Sequence, residues 1–104
     1  MSSPGAGLFA PLALRGLSAR NRVAISPMQQ FMARDGLPSP WNQVHLGQFA
    51  LGGAGIVFTE ALAVSARGRI SYGDMGLWSG EQAQALQPVT AFIRTWGALA
   101  AAQI

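Results

Sequence analysis

Between Gly55 and Ala61 the chain runs Ile56-Val57-Phe58 without polar alternation before it reaches Thr59-Glu60-Ala61. A strand with one wet face alternates apolar and polar residues; a strand covered on both faces does not. This run therefore calls for packed layers on both sides, as in a parallel α/β sheet. Two other segments agree with it. Arg22 to Ser26 is a short apolar strand that ends in Ser26-Pro27-Met28-Gln29, and Ala98 to Ile104 reads as a third strand carrying Gln103 near its end.

Helices fill the intervals. Ser39-Pro40 opens one, with Ser39 as cap and Pro40 at the first helical position. Trp41, Val44 and His45 share one face of it, and Gly52-Gly53 ends it. Ser79 with Gln82 three residues later forms a capping box, and Glu81 suits the positive end of the helix dipole. Leu86, Val89, Ile93 and Trp96 follow at helical spacing, with Gly97 as the C-terminal cap. Pro88 interrupts this pattern. An interior proline costs about 3 kcal/mol, so the sequence predicts either a kink or two abutting helices. Elsewhere, residues 1–7 form a small-residue lead expected to be disordered, and Leu8 to Leu17 fits a short hairpin. Phe31 to Pro38 is a loop with an Asp35-Gly36 turn, and Val64 to Trp78 is a glycine-containing loop.

The resulting order is strand, helix, strand, helix, strand, which gives parallel strands joined by right-handed crossovers. Three apolar strands and two helices do not cover both faces of such a sheet, and the chain stops inside its third strand. A closed eight-stranded barrel takes about 250 residues. The expected fold is therefore α/β, with residues 1–104 as the N-terminal part, about three βα units, of a single TIM (β/α)8 barrel domain.

Composition narrows the chemistry. The chain has no cysteine, which removes disulfides, thiolate metal sites and a cysteine nucleophile. It has no lysine, which removes lysine Schiff-base chemistry. The net charge of +3 comes from arginines scattered from Arg15 to Arg94, whereas a nucleic-acid surface needs them clustered. The N-terminus lacks the pattern of a signal peptide, and no apolar run approaches the roughly 20 residues of a membrane span. The expectation is a soluble cytoplasmic protein.

In parallel α/β folds ligands sit at the C-terminal ends of the strands. Here those ends are Ser26-Pro27-Met28-Gln29, Thr59-Glu60-Ala61 and Gln103. Polar residues also appear wherever a strand leaves a core, so spacing alone leaves both readings open. The other candidates are weaker. His45, the only histidine, lacks acidic or thiol neighbours at ligand spacing and reads as packing; no metal site is expected. Gly52-Gly53-Ala54-Gly55 follows a helix and precedes a strand, the reverse of a dinucleotide loop. Glu60 and Asp74 are isolated carboxylates, so no paired acid/base site is expected, Arg67 and Arg69 fit a solvated loop, and Trp78 and Trp96 fit core or helix packing.

A series of short motifs then resembles one family in order. Leu8-Phe9, Pro11, Leu14-Arg15-Gly16-Leu17 and Asn21-Arg22 through Ser26-Pro27-Met28 resemble the start of the old yellow enzymes, the NADH:flavin oxidoreductases built on an FMN-binding TIM barrel. The similarity continues through Asp35-Gly36-Leu37-Pro38, Val44-His45, Gly53-Ala54-Gly55, Thr59-Glu60-Ala61, Val64-Ser65, Gly68-Arg69-Ile70, Gly76-Leu77-Trp78, Glu81-Gln82 and Gln103-Ile104.

The resemblance implies that Ser26, Pro27, Met28 and Gln29 run beside an FMN ring, that Ala61 lies against it through its backbone, and that Gln103 holds its pyrimidine edge. A glutamine amide offers a carbonyl and an NH2, which complement a flavin carbonyl beside its N3–H. Two positions depart from the family. Gln29 stands where branches of the family carry cysteine or threonine near the flavin O4 and N5, and its longer amide either donates to the flavin or turns away. Phe31 stands where a tyrosine often faces substrate, keeping the aromatic wall without the hydroxyl; loop packing is the competing reading.

The implied activity is hydride transfer from NAD(P)H through FMN to an activated alkene. The family's substrate-activating and proton-donating residues fall beyond Ile104, so no catalytic residue is assigned in this chain. The full-length protein is expected to take a small-molecule substrate and to be capable of forming homo-oligomers. The alternatives are a noncatalytic ligand-binding or interaction module, and another TIM-barrel flavoenzyme such as a dienoyl-CoA reductase-like protein.

Overall fold

A computed structural model describes residues 7–104 of the protein. The expected disordered lead lies, apart from Gly7, outside the described residues.

The first element is an antiparallel hairpin of β1 (Leu12–Leu14) and β2 (Leu17–Ala19), with Leu14 opposite Leu17. Its two-residue turn is Arg15-Gly16, where Arg15 takes a φ of 53°. The hairpin expected at Leu8 to Leu17 thus sits farther along the chain, because the paired residues flank Arg15-Gly16 symmetrically.

A parallel sheet follows, made of β3 (Ala24–Ile25), β4 (Ile56–Ala61) and β5 (Leu99–Gln103) in sequential order. Two helices, α1 (Pro40–Leu51) and α2 (Gly80–Thr95), connect the strands and pack on each other, α1 also on β4 and α2 on β5. Strands laid down in chain order, with successive helices in one layer, wind in a single direction as a barrel does. A doubly wound sheet instead reverses its strand order at a switch point.

Residues from both helices and the sheet share one core, including Leu46 and Ala50 of α1, Val57 of β4, and Leu86, Val89 and Ile93 of α2. The burial on α1 falls on Asn42, Leu46, Gly47 and Ala50. This corrects the face expected from Trp41, Val44 and His45: Trp41 and Val44 are exposed, and His45 is half-buried with its ring edge-on to Phe49 at 5.1 Å. The polar Asn42 goes inward because β4 supplies it with a buried partner. Trp96, expected with the buried row of α2, is 50% exposed beside Phe92.

Pro88 neither breaks nor divides α2, which is continuous from Gly80 to Thr95. The proline lies on the exposed side of the helix, where water can reach the carbonyl that loses its partner. Ser79 caps α2 by accepting from the Gln82 N–H at 3.3 Å. Gln82 does not complete the capping box on Ser79. Its buried amide accepts from the Trp78 N–H at 2.8 Å and donates to the Asp35 carbonyl at 3.2 Å. The Asp35-Gly36 turn is thereby fastened to the start of α2. Both of its residues have positive φ, 52° and 75°, and Arg34 and Leu37 exchange backbone hydrogen bonds across it.

The N-terminal end of the sheet is held by Arg20. Its guanidinium donates to Ala50 O at 2.7 Å, Ala54 O at 2.9 Å and Trp96 O at 2.8 Å. One cation thus serves carbonyls at the C-terminal ends of both helices, where the helix dipoles are negative.

Candidate functional site

The opposite end of the sheet gathers the strand exits. Between Phe58 and Ala61 the β4–β5 register shifts: Phe58 pairs with Ala101, yet Ala61 pairs with Gln103. Three steps on β4 match two on β5, so β4 carries a β-bulge. Burial along β4 alternates up to Thr59 and then breaks, with Thr59 and Glu60 buried in succession and Ala61 half-exposed. Bulges re-aim side chains in this way, and here the shift places Ala61 beside Gln103.

Gln29 joins the third exit to this pair. Its side-chain carbonyl accepts from the Ala61 N–H at 3.0 Å, and its NH2 donates to the Ala61 carbonyl at 3.4 Å. The amide thus mimics a neighbouring strand backbone and continues the β3–β4 pairing beyond Ile25, where the regular strand ends. Gln103 has its backbone engaged, its N–H to Thr59 Oγ1 at 3.3 Å and its carbonyl to the Leu62 N–H at 2.8 Å, and its residue is exposed. Ser26 and Met28 are exposed and Pro27 is half-buried. The structure therefore brings Gln29, Ala61 and Gln103 into direct succession, with Ser26, Pro27 and Met28 on the segment leading to them.

Phe31 stands just past this row, 54% exposed. Its φ of 58° is unusual for a non-glycine residue, and Gly73 packs so closely on its carbonyl that a Cβ there would lie 2.4 Å from the oxygen. The 64–78 loop is thus pressed against the β3 exit, and the Ala33 N–H donates to Gly73 O at 2.9 Å. Within the same loop the Arg69 guanidinium lies over Tyr72 and Trp78, 5.1 and 5.2 Å from the ring centres. Arg69 is half-buried by that stacking, which corrects the solvated-loop reading for this arginine.

Glu60 and Asp74 are fourteen positions apart in sequence, but both are buried and the charge of Asp74 reaches Glu60. Asn42 Nδ2 donates to Glu60 Oε2 at 3.2 Å, while Glu60 Oε1 has no partner. The Gln30 N–H approaches the same carboxyl without hydrogen-bond geometry. Burial pushes the Glu60 pKa up, more than Gln30 and Asn42 draw it down, and Asp74 adds to the rise. Burial also opposes ionisation of Asp74, but Gln29, the Ile70 and Ser71 amides and the Ser71 hydroxyl together take its pKa below the ordinary value. Sequence spacing gave no sign of this grouping, since the bulge at Thr59-Glu60 and the fold of the 64–78 loop create it. Among the described residues no three His, Cys, Asp or Glu side chains gather as a metal site. No described helix is long and apolar enough to cross a membrane.

Comparison with known proteins places this arrangement in a family. The model of the NADH:flavin oxidoreductase / NADH oxidase family matches residues 7–104. An NADPH dehydrogenase of Geobacillus sp. (strain WCH70) is 37% identical over 93 residues, covering 88% of this chain and 27% of the relative. An NADH:flavin oxidoreductase of Gibberella zeae is 38% identical over 85 residues, covering 82% and 21%. Among solved structures, morphinone reductase superposes with a TM-score of 0.85 at 30% identity over 98% of this chain and 27% of that one. The old yellow enzyme homologue from Zymomonas mobilis gives 0.78 at 29% identity over 91% and 26%. The chain spans under a third of the length of the curated relatives it matches. It belongs to the NADH:flavin oxidoreductase / NADH oxidase family, with the strands and helices of the N-terminal part of an old yellow enzyme TIM barrel.

Proposed function

We propose that this chain forms one wall of an FMN site in an oxidoreductase that takes hydride from NAD(P)H and delivers it to an activated alkene. The observation that carries the reading is the succession Gln29–Ala61–Gln103, in which one side-chain amide and one bulged register bring three strand exits together. The residues present fit a flavin. Gln103 offers an exposed amide with both donor and acceptor capacity, matched to adjacent carbonyl and N–H groups on a heteroaromatic edge. Pro27 and Met28 supply apolar surface for the ring face, and Ser26 a hydroxyl.

FMN, when bound, supplies the hydride-accepting and hydride-donating chemistry; the protein positions and tunes it. Gln103 would hold the pyrimidine edge, Ser26 to Met28 would line the ring, and Ala61 would present its backbone. Gln29 is turned toward Ala61, so it acts on the bound ring through the position and polarity of that peptide group. Phe31 forms part of the substrate wall. Its positive φ supports this role, because strained backbone that the surroundings hold in place clusters at functional sites.

The test uses the full-length protein. FMN titration followed by flavin fluorescence is expected to show tight stoichiometric binding, and Gln103→Ala is expected to weaken it by about tenfold, the loss of one to two hydrogen bonds. Absence of flavin binding by the full-length wild type would overturn the reading.

A further inference from the structure

The buried carboxyl of Glu60 has no part in the site as drawn so far, yet it lies directly behind it. Glu60 is 1% exposed and sits at the bulge, one residue before Ala61. Asn42 donates to its Oε2, and Asn42 itself is fixed, since its Oδ1 accepts from the Ser39 N–H at 2.8 Å and the Ser39 hydroxyl at 3.1 Å. The carboxyl is thereby anchored to the first turn of α1. The Gln30 N–H, one residue beyond Gln29, is near enough to favour the charged carboxyl but makes no hydrogen bond to it, and Oε1 stays without a partner. Gln30 is in turn tied to α1, because Trp41 Nε1 donates to Gln30 Oε1 at 2.9 Å.

A buried carboxyl with an unpartnered oxygen is costly to keep, and an apolar residue of similar size would avoid that cost. What the carboxyl supplies is a fully buried connection from the bulge of β4 to the start of α1, behind the shallower bonds by which Gln29 and Trp41 hold the β3 exit to the same two segments. We infer that Glu60 is a positioning residue for the Gln29–Ala61 clamp, holding the two strand exits in the one arrangement that presents the Ala61 peptide group to the ligand. It acts through Asn42 and its own place in the bulge next to Ala61, and does not touch the ligand. The inference rests on the flavin reading only for its second readout below.

In the full-length protein, hydrogen exchange followed by mass spectrometry reads the Ala61 amide directly, with or without flavin. Glu60→Ala is expected to speed exchange in the peptide containing Ala61 by about tenfold or more, as local opening becomes easier. Glu60→Gln is expected to retain most of the protection, because its carboxamide oxygen still accepts from Asn42. In flavin-loaded protein the same contrast is expected in the visible flavin spectrum, shifted in Glu60→Ala and close to wild type in Glu60→Gln. A folded Glu60→Ala with wild-type exchange at Ala61 overturns the inference. If Glu60→Ala does not fold, Asn42→Ala is read in its place, and unchanged Ala61 exchange with α1 still protected overturns it equally. A wild-type protein that binds no flavin refutes the flavin reading alone, since the exchange result still decides this one.

Discussion

At the scale of single residues, two amides and two carboxyls set the character of the strand exits. The Gln29 side chain occupies both hydrogen-bonding groups of Ala61, so its removal frees a peptide group beside the proposed ring. Gln29→Ala in the flavin-loaded full-length protein is expected to shift the flavin reduction potential, measured by dye-coupled titration; an unchanged potential would refute a tuning role. The carboxyls make opposite contributions to pH dependence. Folding raises the Glu60 pKa, mainly through burial, so the folded state holds that proton more tightly than the unfolded chain does. Stability should therefore fall as pH rises from the ordinary glutamate range through the raised value, and Glu60→Gln should flatten that decline in urea melts. Asp74 has a lowered folded pKa, so its contribution is present above the ordinary aspartate range and disappears as pH falls through the lowered value. Asp74→Asn should weaken the acid-side loss of stability in the same melts.

Among the elements, those written by local rules were legible in the sequence and those made by distant partners were not. The start of α1 at Pro40, the Asp35-Gly36 turn and the apolar β4 follow from capping, turn chemistry and hydrophobic pattern. The inward face of α1 did not, because Asn42 is polar and becomes a core residue only through Glu60, eighteen positions later. Pro88 misled for a related reason: its penalty is paid in solvent on the outer face of α2, while Leu86, Val89 and Ile93 keep the inner face packed. The helix pair also depends on a close approach that sequence does not announce. A Cβ at Gly47 would lie 2.7 Å from the Phe92 ring. Gly47→Val should therefore destabilise the protein by about 1–3 kcal/mol through overpacking, read as a lower thermal midpoint. Of the residues in the proposed site, Gln103, Ala61 and the Ser26–Gln29 segment follow from strand ends and resemblance. The clamp that assembles them needed the bulge and the side-chain geometry.

For the molecule as a whole, the strand exits form one wall of the proposed site, and the chain covers only part of the length of its relatives. Residues 1–104 expressed alone are accordingly expected to bind FMN weakly and to show no turnover, whereas the full-length protein is expected to bind it tightly; tight stoichiometric binding by the isolated chain, followed by fluorescence, would contradict this. The other end of the sheet has a different duty. Arg20→Ala should cost about 1–3 kcal/mol without altering flavin affinity, because it releases carbonyls at two helix ends far from the ligand wall. Its bonds connect residues 30, 34 and 76 positions apart, so they close only after both helices have come to rest on the sheet. Contacts of that kind form late. The arginine should therefore govern how slowly the finished structure comes apart and leave the speed of its assembly unchanged, so that in a chevron plot the substitution lifts the unfolding limb alone.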